Sequence, residues 1–590
     1  MVIENHSSEG QDSSPYLPHS SSTKKKQGGW KAVKFILGNE TFEKLASMSL
    51  IANLIVYMHT QYNIENANSV EVFNIWSGFT NFLPLVGAYV ADAYVGKFNM
   101  LLFGSIASLL GMGFMALGAG IPSLRPPSCP THSDCVHPTG MQLGVLYLGL
   151  GLFSIGSGGL RPCNIAFGAD QFDTKTEKGR AQLESFCNWW YFLFTVALLL
   201  ALTGVVYIQT NVSWFIGFVI PTACFALSLT IFMLGQSTYV RMKPKGSIIS
   251  NFVKVVVAAN KKRHVDLKKD SELSFYDPPQ PASSESEPKH TKLAQTNRFR
   301  NLDKAAVITD PSERDVNGEP IDGWRLCSVQ QVEELKSILT TIPVWVAGII
   351  CFLSMGQGHS FGILQALQTS KSIGPHFIIP PAWMGLVPMI ALSMWIFLYE
   401  KIYIPWTMKT TKEGKRLSIE HRILIGIMFS IVSMVVSGLV EVRRRDFALR
   451  SGSFESPIGI WWLVPQFALS GLVEAFAAIP MMELLTSYWP ESVKTLGGAV
   501  FFLSISIASY LGTILIRVIL VVTNKYGKTP WLGGNDLNKN RLEYFYYTIA
   551  VLGGLNLLYF QFFARSYLRT ELVQRPGQNE PEDEENVHKK

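Results

Sequence analysis

"GNETFEKLASMS", residues 38–49, sits in a stretch, 30–58, that is otherwise mostly apolar, and it puts Glu40, Glu43 and Lys44 in the first half of that stretch. The fold turns on whether this segment is a solvated helix or a helix that crosses lipid with charges inside it. The rest of the chain decides between them. Of 590 residues, 48% are hydrophobic and only 16% charged, against roughly 25% charged in soluble domains, and the mean hydropathy is +0.20. Apolar runs of about 18 to 25 residues recur along the chain, each long enough as a helix to cross a hydrocarbon core of about 30 Å. Twelve can be counted, at 33–58, 72–95, 100–120, 141–166, 188–208, 212–236, 337–357, 381–404, 421–440, 459–481, 496–522 and 542–564. An all-α membrane protein is therefore predicted.

A polar stretch rich in Lys, Glu, Ser and Pro separates the first six runs from the last six and contains "KKRHVDLKKD". The expected organisation is a tail at 1–29, a six-helix bundle at 30–241, a linker at 242–335, a second six-helix bundle at 336–567 and a tail at 568–590. Both tails have the low hydrophobicity of disordered segments, and neither reads as a cleavable signal peptide. Lys and Arg gather in "KKKQGGWK", around Lys97, in the linker and in "KTTKEGKR". With twelve spans these fall on one side, so both termini are expected in the cytosol. "EVRRRDFALR", 441–450, falls on the other side and breaks the rule. The net charge of +7 suits cytoplasmic loops better than nucleic acid, for which no motif is seen.

An ionisable group deep in a transmembrane helix is costly to insert, by about 2.5 to 3.5 kcal/mol, and it usually faces a cavity where it works. Glu40, Glu43 and Lys44 are spaced i, i+3, i+4 and share one helix face. They suit a proton carrier, or else they cap the end of the first helix with side chains reaching to the headgroups. Arg161 enters the otherwise uncharged "GLFSIGSGGLRPCNIAFGADQF", and Glu474 is the only charge in "WWLVPQFALSGLVEAFAAIP". Lying in opposite halves, both are expected to line the interface between the bundles.

Among the seven cysteines, Cys129 and Cys135 share "SCPTHSDC" in an outer loop, where an oxidising compartment permits a disulfide. Free thiols are the alternative, and zinc with His132 and His137 a more distant one. The other five read as small buried hydrophobes or cytosolic thiols. "GHSFG", 358–362, matches the G-x-S-x-G nucleophile elbow in letters only, since that elbow needs a strand and a sheet. With no H-E-x-x-H and no supported triad, no enzyme is expected. Trp189, Trp190, Tyr191, Trp461 and Trp462 read mainly as an interfacial belt or as packing.

The segments "GNETFEK", "GAYVADAYVGK", "GGLRPCNIAFGADQFD" and "LVPQFALSGLVEAF" resemble the plant nitrate/peptide transporter family, the plant branch of the proton-coupled oligopeptide transporters within the major facilitator superfamily. The resemblance runs from about residue 30 to residue 569. "NIWSGFTNFLPLVGAYVADAYVGKF" looks most like the subgroup that transports nitrate at low affinity, or glucosinolates and other glycosides. It implies twelve helices in two six-helix bundles, with a substrate cavity between them and protons as the coupling ion in place of any cofactor. Glu40, Glu43 and Lys44 would couple protons, with Lys44 standing where Arg is commoner. Arg161 at the fourth-helix cation position, usually Lys, and Glu474 at the tenth-helix acid would form a bond across the halves that substrate or proton breaks.

Asp92, Gly96 and Lys97 would form the conformational loop between helices two and three, or simply a positively flanked turn. The E-x-x-E-R-F-x-Y-Y continuation of peptide-transporting relatives is missing, since Leu45, Ser47 and Met48 take its last positions, so peptides are not the expected substrate. Met355 stands where a nitrate-binding relative has a seventh-helix His, and His359 is one turn further on. Met100 stands where that relative has a phosphorylated Thr. The expectation is a plasma-membrane proton symporter of a small anion, low-affinity nitrate first and glucosinolates or other glycosides second, acting as a monomer or weak dimer. A transport-like sensor is the third reading.

Overall fold

The computed structural model describes residues 28–568 apart from 130–134, 174–175, 243–247, 266–273, 279–292, 294, 316–317, 375–376, 412–416, 488, 491–492 and 526–530. The expected disorder of the tails at 1–27 and 569–590, and the zinc reading that needs His132, lie outside the described residues. Among the described residues, twelve long helices cross the molecule. The first six are α1 Gly29–Gln61, α2 Asn66–Val90 with a π-turn Ala91–Val95, α3 Lys97–Gly120, α4 Gly140–Ala169, α5 Glu177–Asn211 and α6 Trp214–Leu234. The second six are α7 Val329–Leu367, α8 Pro381–Lys409, α9 Ile419–Ser451, α10 Ile460–Thr486, α11 Leu496–Asn524 and α12 Leu542–Leu568. Ten of them, α3 to α12, are long and apolar enough to cross a membrane on length and composition alone. α1 and α2 fall short of that measure because polar and charged residues, Glu40, Glu43, Lys44, Glu71 and several Asn among them, interrupt their apolar faces.

Helix ends follow local chemistry. Thr139 and Ser328 start α4 and α7 as capping boxes with Gln142 and Gln331, each pair satisfying backbone N–H groups that a helix start leaves bare. Gly96, at φ +81°, makes the left-handed step that lets α2 turn directly into α3. Where α2 and α4 meet, a Cβ on Gly87 would run into the Gly158 carbonyl and one on Gly158 into Leu83. These small residues allow the close backbone approach that substitutes for a hydrophobic driving force in lipid.

Each half has its own core. Tyr57, Met112, Phe153 and Phe225 pack together in the first half, and Val344, Ile427, Met481 and Trp489 in the second. A third cluster belongs to both, joining Ile55 and Val70 to Phe361, Met434, Ile516 and Phe545. Hydrogen bonds follow the same seam, from Asn74 to Gln357 at 3.4 Å and from Ser506 to the Gly78 carbonyl at 2.7 Å. Nearer the chain reversals, Asn66 donates to the Gly534 carbonyl at 3.1 Å and Gly534 to Glu65 at 3.4 Å. These ties run from mid-helix towards the face that carries the Cys129–Cys135 loop, called here the disulfide face. The opposite, linker face holds the segment between α6 and α7.

That linker is more than a hydrophilic tether. A helix, Ile248–Lys261, covers a small core of Val255, Ala258, Ala305, Cys327 and Val332. Lys336 is 2% exposed and pairs with Asp303 at 2.6 Å and Glu333 at 2.8 Å, so the unit is stitched to the start of α7. α7 begins inside the stretch expected to be linker because its first two turns bury Val329, Val332 and Leu335 against this unit. The tract "EVRRRDFALR" also finds its explanation. Arg444 and Glu441, both fully buried, form a two-pronged ion pair at 2.8 Å in which Arg444 also reaches Asn538 at 2.9 Å. Arg445 bonds the Asn538 carbonyl at 2.9 Å. Arg444 and Arg445 therefore fasten α9 to the turn before α12 and are not free loop charges of the kind that orient a chain.

Candidate functional site

The three ionisable groups of α1 are enclosed by neighbouring helices rather than set on the protein surface. Glu40 and Glu43 are each 3% exposed and Lys44 8%, at a depth of about 17 Å along α1 from its first residue at 1.5 Å per residue. The Lys44 ammonium lies 3.4 Å from Glu40 Oε1 and 3.0 Å from Glu43 Oε2. The ion pair thus holds both carboxylates with one cation, and Glu40 Oε2 has no hydrogen-bond partner among the described residues. The indole of Trp190, on α5, is near enough to act on Glu40, and its ring stacks on Phe194. Trp190 therefore departs from the belt expected of the aromatic set, whereas Trp189, Tyr191, Trp461 and Trp462 are more than half exposed.

Arg161 projects from α4 just after Gly158 and Gly159, where α4 packs closely on Leu83 of α2 and Met100 of α3. Its guanidinium donates to Asn81 Oδ1 of α2 at 2.7 Å and stands 5.7 Å from the Phe502 ring of α11, in the other half. It also lies within electrostatic reach of Glu43 and Lys44. The structure thus gathers Glu40, Glu43, Lys44 and Arg161 into one set beside the seam between the halves.

It does not bring Glu474 into that set. Glu474 opens a π-turn in α10 and is half-buried, and its side chain makes no ion pair or hydrogen bond among the described residues. Among the described residues the expected Arg161–Glu474 bond is absent from this conformation, in which the Arg161 guanidinium donates to Asn81. His359 turns its ring edge-on to Phe467 of α10, 6.0 Å away, with Gly385 at the start of α8 close by. Met355 packs among apolar residues of the second half. Both are held inside that half, by contacts other than the charged cluster.

At the α2–α3 turn, Lys97 pairs with Asp170 at the end of α4, at 2.7 Å. Asp92 is exposed and lies within electrostatic reach of both. On the opposite face Cys129 and Cys135 are joined by a disulfide with Cα atoms 5.4 Å apart. Asn63 holds the same loop through the carbonyls of Pro127 and Val136 at 3.0 and 3.1 Å.

Sequence reasoning missed Asn81 and Phe502 as the immediate surroundings of Arg161, and Trp190 beside Glu40. Asn81 lies inside the quoted "NIWSGFTNFLP" segment, but only packing shows which helix Arg161 reaches. No group of three or more His, Cys, Asp or Glu able to hold a metal occurs among the described residues.

Comparison with known proteins agrees with this arrangement. The family model described as PTR2, POT family, matches residues 98–532. "Protein NRT1/ PTR FAMILY 2.8" of Arabidopsis thaliana is 55% identical over 546 residues, covering 92% of this chain and 96% of the relative. "Protein NRT1/ PTR FAMILY 2.13" of the same plant is 43% identical over 549 residues, covering 92% and 87%. Among solved structures, the POT family transporter PepTSo superposes with a TM-score of 0.65 at 19% identity, covering 91% of this chain and 98% of that one. A proton dependent oligopeptide (POT) family transporter superposes at 0.58 with 18% identity, covering 89% and 100%. These two likenesses establish the fold, the twelve-helix major facilitator arrangement, and the matches in sequence go further: the chain belongs to the POT family, a family of multi-pass membrane transporters rather than enzymes.

Proposed function

We propose that the protein is a proton-coupled symporter of a small anion, with nitrate as the first candidate substrate. The observation that carries this reading is the charge set beside the seam, in which two cations, Lys44 and Arg161, stand with two carboxylates, Glu40 and Glu43. With all four ionised the set is neutral. One added proton leaves a positive charge that an anion can neutralise, so proton and anion favour each other's binding, the reciprocity that coupling requires. Glu40 Oε2, buried and without a hydrogen bond, is a place where a proton can be added without breaking a bond. Arg161 supplies the anion contact, since its planar fork matches an oxyanion better than an ammonium does. Glu474, in the other half, would meet Arg161 only after the halves have moved.

Transport would proceed by rocking of the two halves about a midplane cavity, with the linker face cytoplasmic and the plasma membrane as the site. Asp92 and Lys97 would act as the cytoplasmic loop switch, Lys97 exchanging Asp170 for another carboxylate as that face closes. Glucosinolates or other glycosides that carry sulfate or carboxylate groups are the second reading, favoured by the same pair of cations. Peptides are not favoured, because Leu45, Ser47 and Met48 replace the polar and aromatic positions that follow the first-helix signature in peptide carriers. A substrate panel assayed for uptake at acid and neutral outside pH tests the reading. Wild type is expected to take up nitrate faster at acid pH, Arg161→Lys to keep measurable uptake and Arg161→Gln to lose it. Wild-type uptake by Arg161→Gln would show that the anion is held elsewhere.

A further inference from the structure

The ties along the seam are of unequal kind. Those of Asn74, Ser506, Asn66 and Glu65 join neutral groups or involve a backbone group. Between α2 and α11, Arg517 donates to Glu71 at 2.6 Å. The Glu71 side chain is 8% exposed, with Oε2 buried and unpartnered, while the Arg517 side chain is 61% exposed. An open cleft of about 390 Å³ borders the pair, with Glu65, Asn68, His137 and Tyr147 on its walls. Water therefore reaches Arg517 but not the carboxylate beneath it. A half-buried charge-assisted bond of this kind is stronger than the neutral bonds around it, and neither residue belongs to the charge set on α1 and α4.

We propose that Glu71 and Arg517 form the latch that holds the disulfide face shut, a bond between the halves that must break in every cycle in which the cavity opens to that face. The proposal rests on the alternating-access reading given above. In the closed state Val70, the neighbour of Glu71, is fully buried in the cluster shared by both halves, so it reports whether the seam has parted. The latch positions the halves and touches no substrate.

The test uses full-length protein carrying Val70→Cys, purified and labelled with a maleimide, with the same protein lacking Val70→Cys as background for the native thiols. Arg517→Gln and Glu71→Gln are each expected to raise the labelling rate by about tenfold, equivalent to about 1.4 kcal/mol in the opening equilibrium. The double variant should label no faster than either single, because one substitution already removes the bond. Unchanged labelling in the singles, or effects that multiply, would overturn the latch. A second arm joins Glu71→Cys to Arg517→Cys with a short, reducible bifunctional thiol reagent and follows transport. Uptake is expected to stop on bridging and return on cleavage. Uptake that continues through the bridge would overturn the alternating-access reading together with the latch, whereas blocked uptake with unchanged labelling in the neutral variants would overturn the latch alone.

Discussion

Replacing Glu43 by Gln changes one oxygen to an amide nitrogen and keeps the side chain's shape. At an effective dielectric of about 20, a unit charge pair at the observed 3.0 Å attracts by about 5.5 kcal/mol before desolvation. Glu43→Gln removes that attraction, but Lys44 keeps Glu40 at 3.4 Å and Arg161 keeps its bond to Asn81, so the protein is expected to fold and reach the membrane. With Glu40 ionised, the charge set changes from neutral to singly positive. Anion binding then no longer needs a proton, and the dependence of uptake on outside pH should vanish. Between about pH 5.5 and about pH 7.5 the proton free energy changes by about 2.7 kcal/mol, which bounds the pH effect of one obligatory proton at about 100-fold. The assay is initial uptake at both pH values, normalised to surface protein. Wild type should favour acid pH and Glu43→Gln should give a ratio near one. A wild-type ratio in Glu43→Gln would mean that Glu43 does not set the charge balance on which coupling rests.

Three further outcomes are expected. Arg444→Ala leaves Glu441 buried without its cation and should destabilise the second half by about 3 to 5 kcal/mol, read as a fall in the midpoint of thermal unfolding of the purified protein; an unchanged midpoint would refute the structural role given to the pair. Cys129→Ser should lower stability by about 2 kcal/mol, since the bridge closes a short loop, and leave transport intact, while peptide mass spectrometry of unreduced wild type should show the two cysteines linked. In the linker unit, partial burial pushes the Glu313 carboxyl up, but hydrogen bonds from Lys262 and Thr309 and the Lys262 charge outweigh it and hold it below the usual glutamate range. Its contribution is therefore complete above that range and disappears as pH falls through the lowered value; limited proteolysis of the linker should speed up at strongly acid pH in wild type and be less pH-sensitive in Glu313→Gln.

Much of this molecule is written locally. Apolar runs of membrane-spanning length determine twelve helices, because a backbone in lipid must satisfy its own hydrogen bonds within each segment. Thr139 with Gln142 and Ser328 with Gln331 mark two helix starts, and Gly96 marks a turn, for reasons confined to a few neighbouring residues. The face shared by Glu40, Glu43 and Lys44 was equally legible, since i, i+3 and i+4 spacing alone makes them neighbours. Partners on other helices were not. Whether that face met headgroups or protein, whether Arg161 found Glu474 or Asn81, and which carboxylate Lys97 chose depended on how helices distant in sequence pack. The same holds for Arg444, which reads as a misplaced loop charge until Glu441 and Asn538 are seen around it. Ion pairs and hydrogen bonds act over a few ångströms, and only the tertiary structure brings residues 76, 80 or 446 positions apart, as in Gln365–Glu441, Arg161–Asn81 and Arg517–Glu71, to within that range.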